Sequence, residues 1–208
     1  MGRTSTARER LLDATGELMQ HRGYSSLGVA EICAAAEVKK GSFYHFFTSK
    51  QDLTLQAVNA YWEGQRGAWA LALDGPDPAL VRLRRLLEGM AQVQRHRKET
   101  CGTVDGCLLG NLTLELSTQE PDVRARLEEI FDEQTALIGA VLGQAADEGG
   151  IPREHAEQSV ARAVIAHLEG LVLFAKLKND PAVLDTLWPH TLLLVSGGGP
   201  LTAPAHRG

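Results

Sequence analysis

The sequence predicts an all-α protein with a small N-terminal head and a larger helical body. Only 5% of its 208 residues are aromatic, although 44% are hydrophobic. No stretch shows the alternation of β-branched and polar residues that is typical of strands. Apolar residues recur instead at spacings of three and four, as on one face of a helix. A chain of this length can bury the core of one or two domains.

Composition excludes several classes of protein. No apolar run approaches the ~18 residues of a membrane span, and the first twenty residues lack the apolar stretch of a secretion signal. We therefore expect a cytoplasmic protein that binds no membrane. Its three cysteines, Cys33, Cys101 and Cys107, are an odd number without a secretion signal and are expected to be reduced thiols.

The formal net charge of −5 is unevenly distributed. Residues 1–52 hold seven Lys or Arg and six Asp or Glu, whereas the other 156 residues hold fourteen and twenty. The head is therefore close to neutral and the body is acidic. This balance leaves DNA binding open, because binding depends on where the charges lie.

Three helices are predicted within the head. Thr6 and Glu9 form a capping-box pattern that begins the first helix, and Gly23 suits its C-terminal end. Apolar residues at i, i+3, i+4 and i+7 predict a short second helix over 29–36. Residues 39–47 form a third helix after a tight turn. This order predicts a helix-turn-helix, whose second short helix enters the major groove of DNA.

The head also resembles the DNA-binding domain of the TetR family of transcriptional regulators. The resemblance runs without gaps over about thirty positions. It is carried by Gly23-Tyr24, Val29, Ile32, Ala35-Ala36, Val38, Lys40-Gly41-Ser42-Phe43-Tyr44-His45-Phe46-Phe47 and Ser49-Lys50-Gln51-Asp52-Leu53. It implies a DNA-binding domain over 1–50 and a helical ligand-binding and dimerisation domain over 51–196. Residues 197–208 are rich in Gly and Pro and are expected to form a disordered tail.

The resemblance also implies which residues touch a pseudo-palindromic operator. Lys39, Lys40, Gly41 and Ser42, at the start of the third helix, are expected at or near base edges. Tyr44, His45 and Lys50 match positions that contact phosphate. The lysines could instead form a solvated face and His45 could be structural, while the neighbouring phenylalanines are expected in the core.

Three positions depart from the usual family pattern. Leu27 and Gly28 stand where Ser or Thr commonly caps the second helix and touches phosphate, so that contact is expected to be missing or supplied by Ser25 or Ser26. Glu37 stands at the turn position usually taken by glycine, where a left-handed backbone is mildly unfavourable.

Six further helices are predicted beyond the head. Ser49 caps the fourth, which ends at Asp74, and the fifth follows Pro78 with Leu80, Leu83, Leu87, Met90 and Val93 facing inward. The others are predicted over 108–117, 121–148, 153–179 and 181–195.

The last two of these helices are expected to form a homodimer, as the resemblance implies. Each carries a broad apolar stripe that could serve a partner surface or the core of a monomer. The residues of these stripes are Val160, Val164, Leu168, Leu171, Val172, Leu184, Leu187, Trp188 and Leu192.

The resemblance also implies an inducer pocket among the central helices. Candidate lining residues are Trp62, Trp69, Met90, Asn111, Phe131, His167 and Phe174, although residues of this kind are more often ordinary core. No cluster of basic residues or pair of carboxylates indicates the charge of the small-molecule inducer.

The string Gly106-Cys107-Leu108-Leu109-Gly110-Asn111-Leu112 resembles a segment in a branch of the family. Some members of that branch respond to electrophiles, oxidants or small unsaturated acids. Cys107 is expected at the start of a helix, where the helix dipole lowers the pKa of a thiol. A buried cysteine that only fills space is the alternative. Cys101 could form a disulfide with an oxidised Cys107.

No motif for catalysis, a cofactor or a metal is present in the sequence. The cysteines and His96 lack the spacing of a zinc site. The sequence thus predicts a ligand- or electrophile-responsive repressor that is not an enzyme. The alternatives are an activator of the same architecture and a sensor that acts through another protein.

Overall fold

The computed structural model describes residues 6–197 and confirms the all-α architecture, since none of these residues lies in a strand. The α-helices are α1 (Ala7–Arg22), α2 (Val29–Ala35), α3 (Lys40–Phe46), α4 (Lys50–Leu73), α5 (Ala79–Cys101), α6 (Leu108–Leu116), α7 (Pro121–Asp147), α8 (Gln158–Lys178) and α9 (Leu187–Ser196). Short 3-10 helices at Arg153–His155 and Pro181–Thr186 precede α8 and α9. The expected tail from residue 198 onward lies outside the described residues. No helix within 6–197 is long and apolar enough to cross a membrane.

The predicted N-terminal ends of α1 and α4 are confirmed by the side chains that cap them. Thr6 Oγ1 accepts the backbone N–H of Glu9 at 3.2 Å, and Glu9 Oε2 accepts that of Thr6 at 2.8 Å. The Ser49 hydroxyl accepts from the Asp52 N–H at 3.0 Å and caps α4. All three bonds satisfy backbone donors that the start of a helix leaves free.

Helix α4 links the head to the body. It packs against α1 in the head and against α5 and α7 in the body. The indole rings of Trp62 and Trp69 lie edge to face at 5.7 Å in its buried side. On α5, Val93 is exposed rather than inward, because it lies beside the apolar face of that helix instead of on it.

The residues expected at the dimer interface belong mainly to the core of their own chain. Val164, Leu168, Val172, Leu184 and Leu187 are buried, and Val160, Leu171 and Trp188 pack partly buried against the same core. Only Leu192 is classed as exposed.

The exposed large hydrophobic residues of α8 and α9 lie on other positions. They are Leu173, Phe174, Leu177, Leu192, Leu193 and Leu194. Periodicity detects apolar stripes on these helices, but it does not tell which of them is covered by neighbouring helices, α7 for α8 and α5 and α8 for α9.

Arg82 joins three parts of the body. Its side chain is 7% exposed, and its guanidinium donates to the carbonyl oxygens of Leu73 and Asp77 and to Gln144 Oε1. Leu73 ends α4, so its carbonyl has no partner within the helix. Arg82 therefore fastens the end of α4 and the α4–α5 loop to α7.

Replacing Arg82 with Met should lower the free energy of unfolding by about 2–3 kcal/mol, because buried acceptors lose charged donors. Urea unfolding followed by circular dichroism measures the change. Arg84→Ala removes an exposed i,i+4 pair with Glu88 and is the control, with an expected change of at most about 0.5 kcal/mol. Equal stability of the two variants would contradict the role given to Arg82.

Candidate nucleic-acid interface and regulatory cavity

Helices α2 and α3 form a tight helix-turn-helix. The Val38 N–H donates to the Cys33 carbonyl at 2.9 Å, and Glu37 has φ +54°, so the left-handed backbone expected at this position is confirmed. Phe43 and Phe47 are fully buried. These rings fix one face of α3 to the head and leave the opposite face to solvent.

The candidate base-contacting residues share this outer face. Lys39, Lys40 and Gly41 are exposed, and Ser42 is half-buried. The side chains expected at phosphate, Tyr44 and His45, are exposed one turn further along α3. All of them are sterically available to a DNA duplex.

Lys50 is placed differently from the other candidates. Its ammonium donates to the carbonyls of Tyr24 at 2.8 Å and Leu27 at 2.7 Å, and it lies 3.8 Å from the centre of the Tyr24 ring. Burial lowers its pKa, against the opposing charges of Glu115 and Glu120. Two of the three N–H donors of the ammonium thus bond to the segment before α2.

The helix-two cap lacks its usual side chain, as the sequence indicated. Gly28 is the N-cap residue of α2 and makes no side-chain bond there. The Ser26 hydroxyl donates to the Arg22 carbonyl at 2.8 Å. The Ser25 backbone N–H donates to Glu115 Oε1 at 2.7 Å, and the Ser25 side chain also bonds to Glu115. Both serines are therefore engaged within the protein.

Glu115, on α6, joins the body to the head. Its carboxylate accepts the backbone N–H groups of Tyr24 and Ser25, each at 2.7 Å. Burial alone would raise the pKa of Glu115, but the bonds from Ser25 and Tyr24 outweigh it and lower the pKa below its ordinary value. Burial, with the charges of Glu120 and Glu115, raises the pKa of Tyr24 to about 12. Tyr24 remains a donor to Glu120, at 3.1 Å.

The head also contacts the segment immediately before α6. Gln20 Nε2 donates to the Gly106 carbonyl at 3.1 Å, and His21 Nδ1 lies 3.0 Å from a carboxylate oxygen of the buried Asp105. Gln94 of α5 forms two bonds with the backbone of Gly106. The C-terminal end of α1 and the residues that follow it therefore contact α6 near both ends of α6.

A cavity of about 260 Å³ lies between α6, α7 and α8. It is lined by Gly106, Cys107, Gly110, Asn111, Thr113, Leu114, Phe131, Glu169, Gly170, Val172, Leu173 and Lys176. Three of the expected ligand-contacting residues, Cys107, Asn111 and Phe131, meet here.

The other expected lining residues lie elsewhere. Trp62 and Trp69 are core, and Trp62 Nε1 donates to Glu133. Met90 is half-buried against the core. His167 packs beside His190, with ring centres 5.8 Å apart, and Phe174 is 53% exposed. These five positions lie on three helices and were chosen for their large side chains, which do not by themselves indicate a cavity.

The thiol of Cys107 is not acidified, which corrects the sequence-based expectation. Burial raises its pKa well above the ordinary value, and the charge of Glu169 raises it further. The N–H groups of Gly110 and Leu109 at the start of α6 act in the opposite direction. The effect of the helix N-terminus is therefore present but smaller than the cost of burying a thiolate.

Two charged residues of α8, which the sequence analysis missed, flank this thiol. A Cβ atom at Gly110 would lie 2.4 Å from Glu169 Oε2, and one at Gly106 would lie 2.9 Å from Lys176 Cδ. Glu169 and Lys176 are seven residues apart, two turns on one face of α8. Charged residues at that spacing in an apolar helix, together with two glycines around a cysteine, were the signals available in the sequence.

The other two cysteines lie apart from this cavity. Cys33 is buried in the head and Cys101 is exposed at the end of α5. Within residues 6–197, no group of three or more His, Cys, Asp or Glu side chains is arranged to hold a metal ion.

Known proteins match the chain along most of its length. Residues 11–57 match the family model described as "Bacterial regulatory proteins, tetR family", and residues 79–191 match "Tetracyclin repressor-like, C-terminal domain". The transcriptional regulator AcuR of Cereibacter sphaeroides is 36% identical over 88% of this chain and 82% of its own. The repressor DhaR of Mycobacterium sp. (strain GP1) is 31% identical over 89% of each. The repressor NemR of Escherichia coli is 31% identical over 68% of each.

Solved structures give the same result. The regulatory protein TetR from Rhodobacter sphaeroides superposes with a TM-score of 0.81 at 32% identity, covering 90% of this chain and 98% of its own. The reduced form of E. coli NemR gives 0.74 at 25% identity, covering 89% and 94%. Because family models match both the head and more than half of the chain beyond it, the protein belongs to the TetR family of DNA-binding transcriptional regulators.

Proposed function

We propose that this protein is a homodimeric transcriptional repressor that leaves a pseudo-palindromic operator when an electrophile or another small molecule acts at the Cys107 cavity. One observation carries the proposal. Helix α6 connects the cavity to the head, because Cys107 is its N-cap residue and Glu115, in its last turn, bonds to Tyr24 in the head.

The exposed face of α3 supports the DNA-binding part. Lys39, Lys40 and Ser42 come first along the helix, where a recognition helix meets base edges. Tyr44 and His45 follow one turn later, exposed, and are expected to contact phosphate. The structure gives no such support to the phosphate contact expected of Lys50, because its ammonium donates to the carbonyls of Tyr24 and Leu27.

The exposed apolar side chains of α8 and α9 support the homodimer. Phe174 and Leu177 of α8 and Leu193 of α9 are each more than half exposed. Contiguous apolar surface of this kind typically marks a protein interface. A twofold dimer would present two recognition helices to two half-sites at a fixed spacing.

A ligand would act by favouring a spacing of the heads that no longer fits the operator. An adduct on Cys107 enlarges a side chain at the start of α6. The helix would shift, and its bonds at Gly106 and Glu115 would carry that shift to α1 and to the segment before α2. The sequence resemblance to NemR, and the Cys107 cavity, favour an electrophile among the possible inducers.

Replacing Lys40 with Ala should weaken binding to the operator about 5- to 150-fold, the effect of losing a base contact worth about 1–3 kcal/mol. Fluorescence anisotropy with labelled DNA from the intergenic region upstream of the gene, with scrambled competitor, measures it. A phosphate contact would instead reduce the slope of log affinity against log salt by about 0.9. Arg84→Ala, in the body, is the charge-matched control. If Lys40→Ala keeps the affinity, selectivity and salt slope of the wild-type protein, Lys40 does not contact the DNA.

Replacing Cys107 with Ser should leave operator binding intact and abolish release by N-ethylmaleimide, because the reactive sulfur is lost. The same anisotropy assay, before and after treatment, measures release. Cys101→Ser removes the exposed thiol and should release like the wild-type protein. If Cys107→Ser still releases the DNA, Cys107 is not the sensor and release must be sought with reversible ligands of the cavity.

A further inference from the structure

Glu169 places a carboxyl group against the thiol of Cys107. It lies on α8 and lines the cavity together with Cys107. The carboxyl group influences the thiol through both its charge and a side-chain hydrogen bond. Burial raises the pKa of Glu169, and its bond with Cys107 opposes that rise. A carboxyl group and a thiol therefore lie side by side in the lining of one cavity.

Gly110 makes this approach possible. A Cβ atom at residue 110 would lie 2.4 Å from Glu169 Oε2 and 3.6 Å from the Cβ of Cys107. A contact of 2.4 Å is shorter than any real Cβ contact, so a side chain at this position would displace the carboxyl group. The carboxyl group thus occupies the space that the glycine leaves open on the first turn of α6.

The pair resolves a chemical difficulty in the sensor. The thiolate, not the thiol, is the nucleophile, yet burial and Glu169 keep the Cys107 thiol protonated. A buried thiol can still react if a neighbouring base removes its proton as the new bond forms. Glu169 lines the same cavity as the thiol that must lose the proton, and Glu169 Oε2 lies beside Gly110, three residues from Cys107 on the first turn of α6.

We propose that Glu169 is the general base of the Cys107 sensor. Its carboxylate accepts the thiol proton while Sγ bonds to the terminal carbon of an activated carbon–carbon double bond. The π electrons move to the adjacent carbon, which then receives the proton from the carboxylic acid. The product is a thioether, Glu169 returns to its carboxylate form, and no oxidant or further reactant is needed.

Other titratable groups lie near this pair. They are Lys176 on α8, Tyr61 on α4, Arg97 on α5 and Asp105 in the loop before α6. Burial raises the pKa of Tyr61 and lowers that of Lys176, against the charges of Asp105 and Cys107. The residue that α7 adds to the cavity, Phe131, does not titrate. A test of Glu169 therefore compares pH profiles of variants that leave these groups in place.

The test measures the rate of Cys107 alkylation by N-ethylmaleimide between pH 5 and 9, by intact mass spectrometry, in a Cys101→Ser background. With Glu169 present, the rate should rise as the carboxyl group ionises, with a midpoint above 4.5, and then level off toward neutral pH. Glu169→Gln keeps the size of the side chain but cannot accept the proton. Its rate at pH 7 should fall about 100-fold, the low end of general-base effects, and should climb tenfold per pH unit without levelling.

A purely electrostatic role predicts the opposite sign. Removing the negative charge would lower the pKa of the thiol, so Glu169→Gln would react faster than wild type at pH 7. That result, or an unchanged pH profile, would overturn the proposal.

Gly110→Ala provides a second variant that leaves the carboxyl group in the protein. The added Cβ should push Glu169 away from the thiol and slow alkylation as Glu169→Gln does. Gly143→Ala, a helical position with nothing within 4 Å of the added Cβ, is the matched control and should react at the wild-type rate. Wild-type reactivity in Gly110→Ala would contradict the geometry.

The inference rests on the proposed function, because it assumes that Cys107 is a reactive thiol. The two can nevertheless fail separately. The alkylation rates are measured without DNA, so a slow Glu169→Gln variant establishes the base even if the alkylated wild-type protein stays on its operator. Release of labelled operator DNA after alkylation, measured by fluorescence anisotropy, tests the repressor mechanism alone.

Discussion

Both ends of α6 are bonded to the end of α1 and to the turn that follows it, and this attachment fixes the position of the Cys107 cavity relative to the head. Helix α6 has nine residues and is therefore about 13 Å long. Gln20 and His21 hold the segment before it, and Tyr24 and Ser25 bond to Glu115 in its last turn. Since both attachments lie at the end of α1 and the turn that follows it, a displacement of α6 must strain or break bonds that set where α2 begins. Lys50 reinforces this segment from the other side through two carbonyl oxygens.

Small residues allow polar side chains to reach these positions. Gly110 admits the Glu169 carboxyl group and Gly106 admits the stem of Lys176, because a Cβ at either site would collide. A buried carboxyl group normally destabilises a core unless it finds a partner. Here Glu169 and Cys107 line one small cavity, and burial together with the charge of Glu169 holds the pKa of the thiol well above its ordinary value. In the proposed mechanism, the reaction of Cys107 therefore depends on a neighbouring base.

The sequence was sufficient to predict the fold class and most helix ends, because helical spacing and caps such as Thr6 and Ser49 are local signals. It was also sufficient to place the outer face of α3, since Phe43 and Phe47 mark the buried face. It failed where two apolar faces compete: Val164 and Leu168 pack inside the chain, while Phe174 and Leu177 face outward. It also predicted the wrong direction for the pKa of Cys107, because a helix N-terminus is visible in sequence whereas burial and the approach of Glu169 from another helix are not.

Glu115→Gln tests most directly whether α6 transmits the state of the Cys107 cavity to the head. The glutamine keeps the size of the side chain but has one acceptor oxygen for two backbone donors, so the attachment at this end of α6 weakens. The measurement is the ratio of operator Kd values after and before complete alkylation of Cys107, with Glu128→Gln on the exposed surface of α7 as the control. Wild type and control should show a ratio of about 5- to 150-fold, the usual range of allosteric coupling. Glu115→Gln should be fully alkylated yet show a ratio near one, whereas an undiminished ratio would contradict transmission through α6.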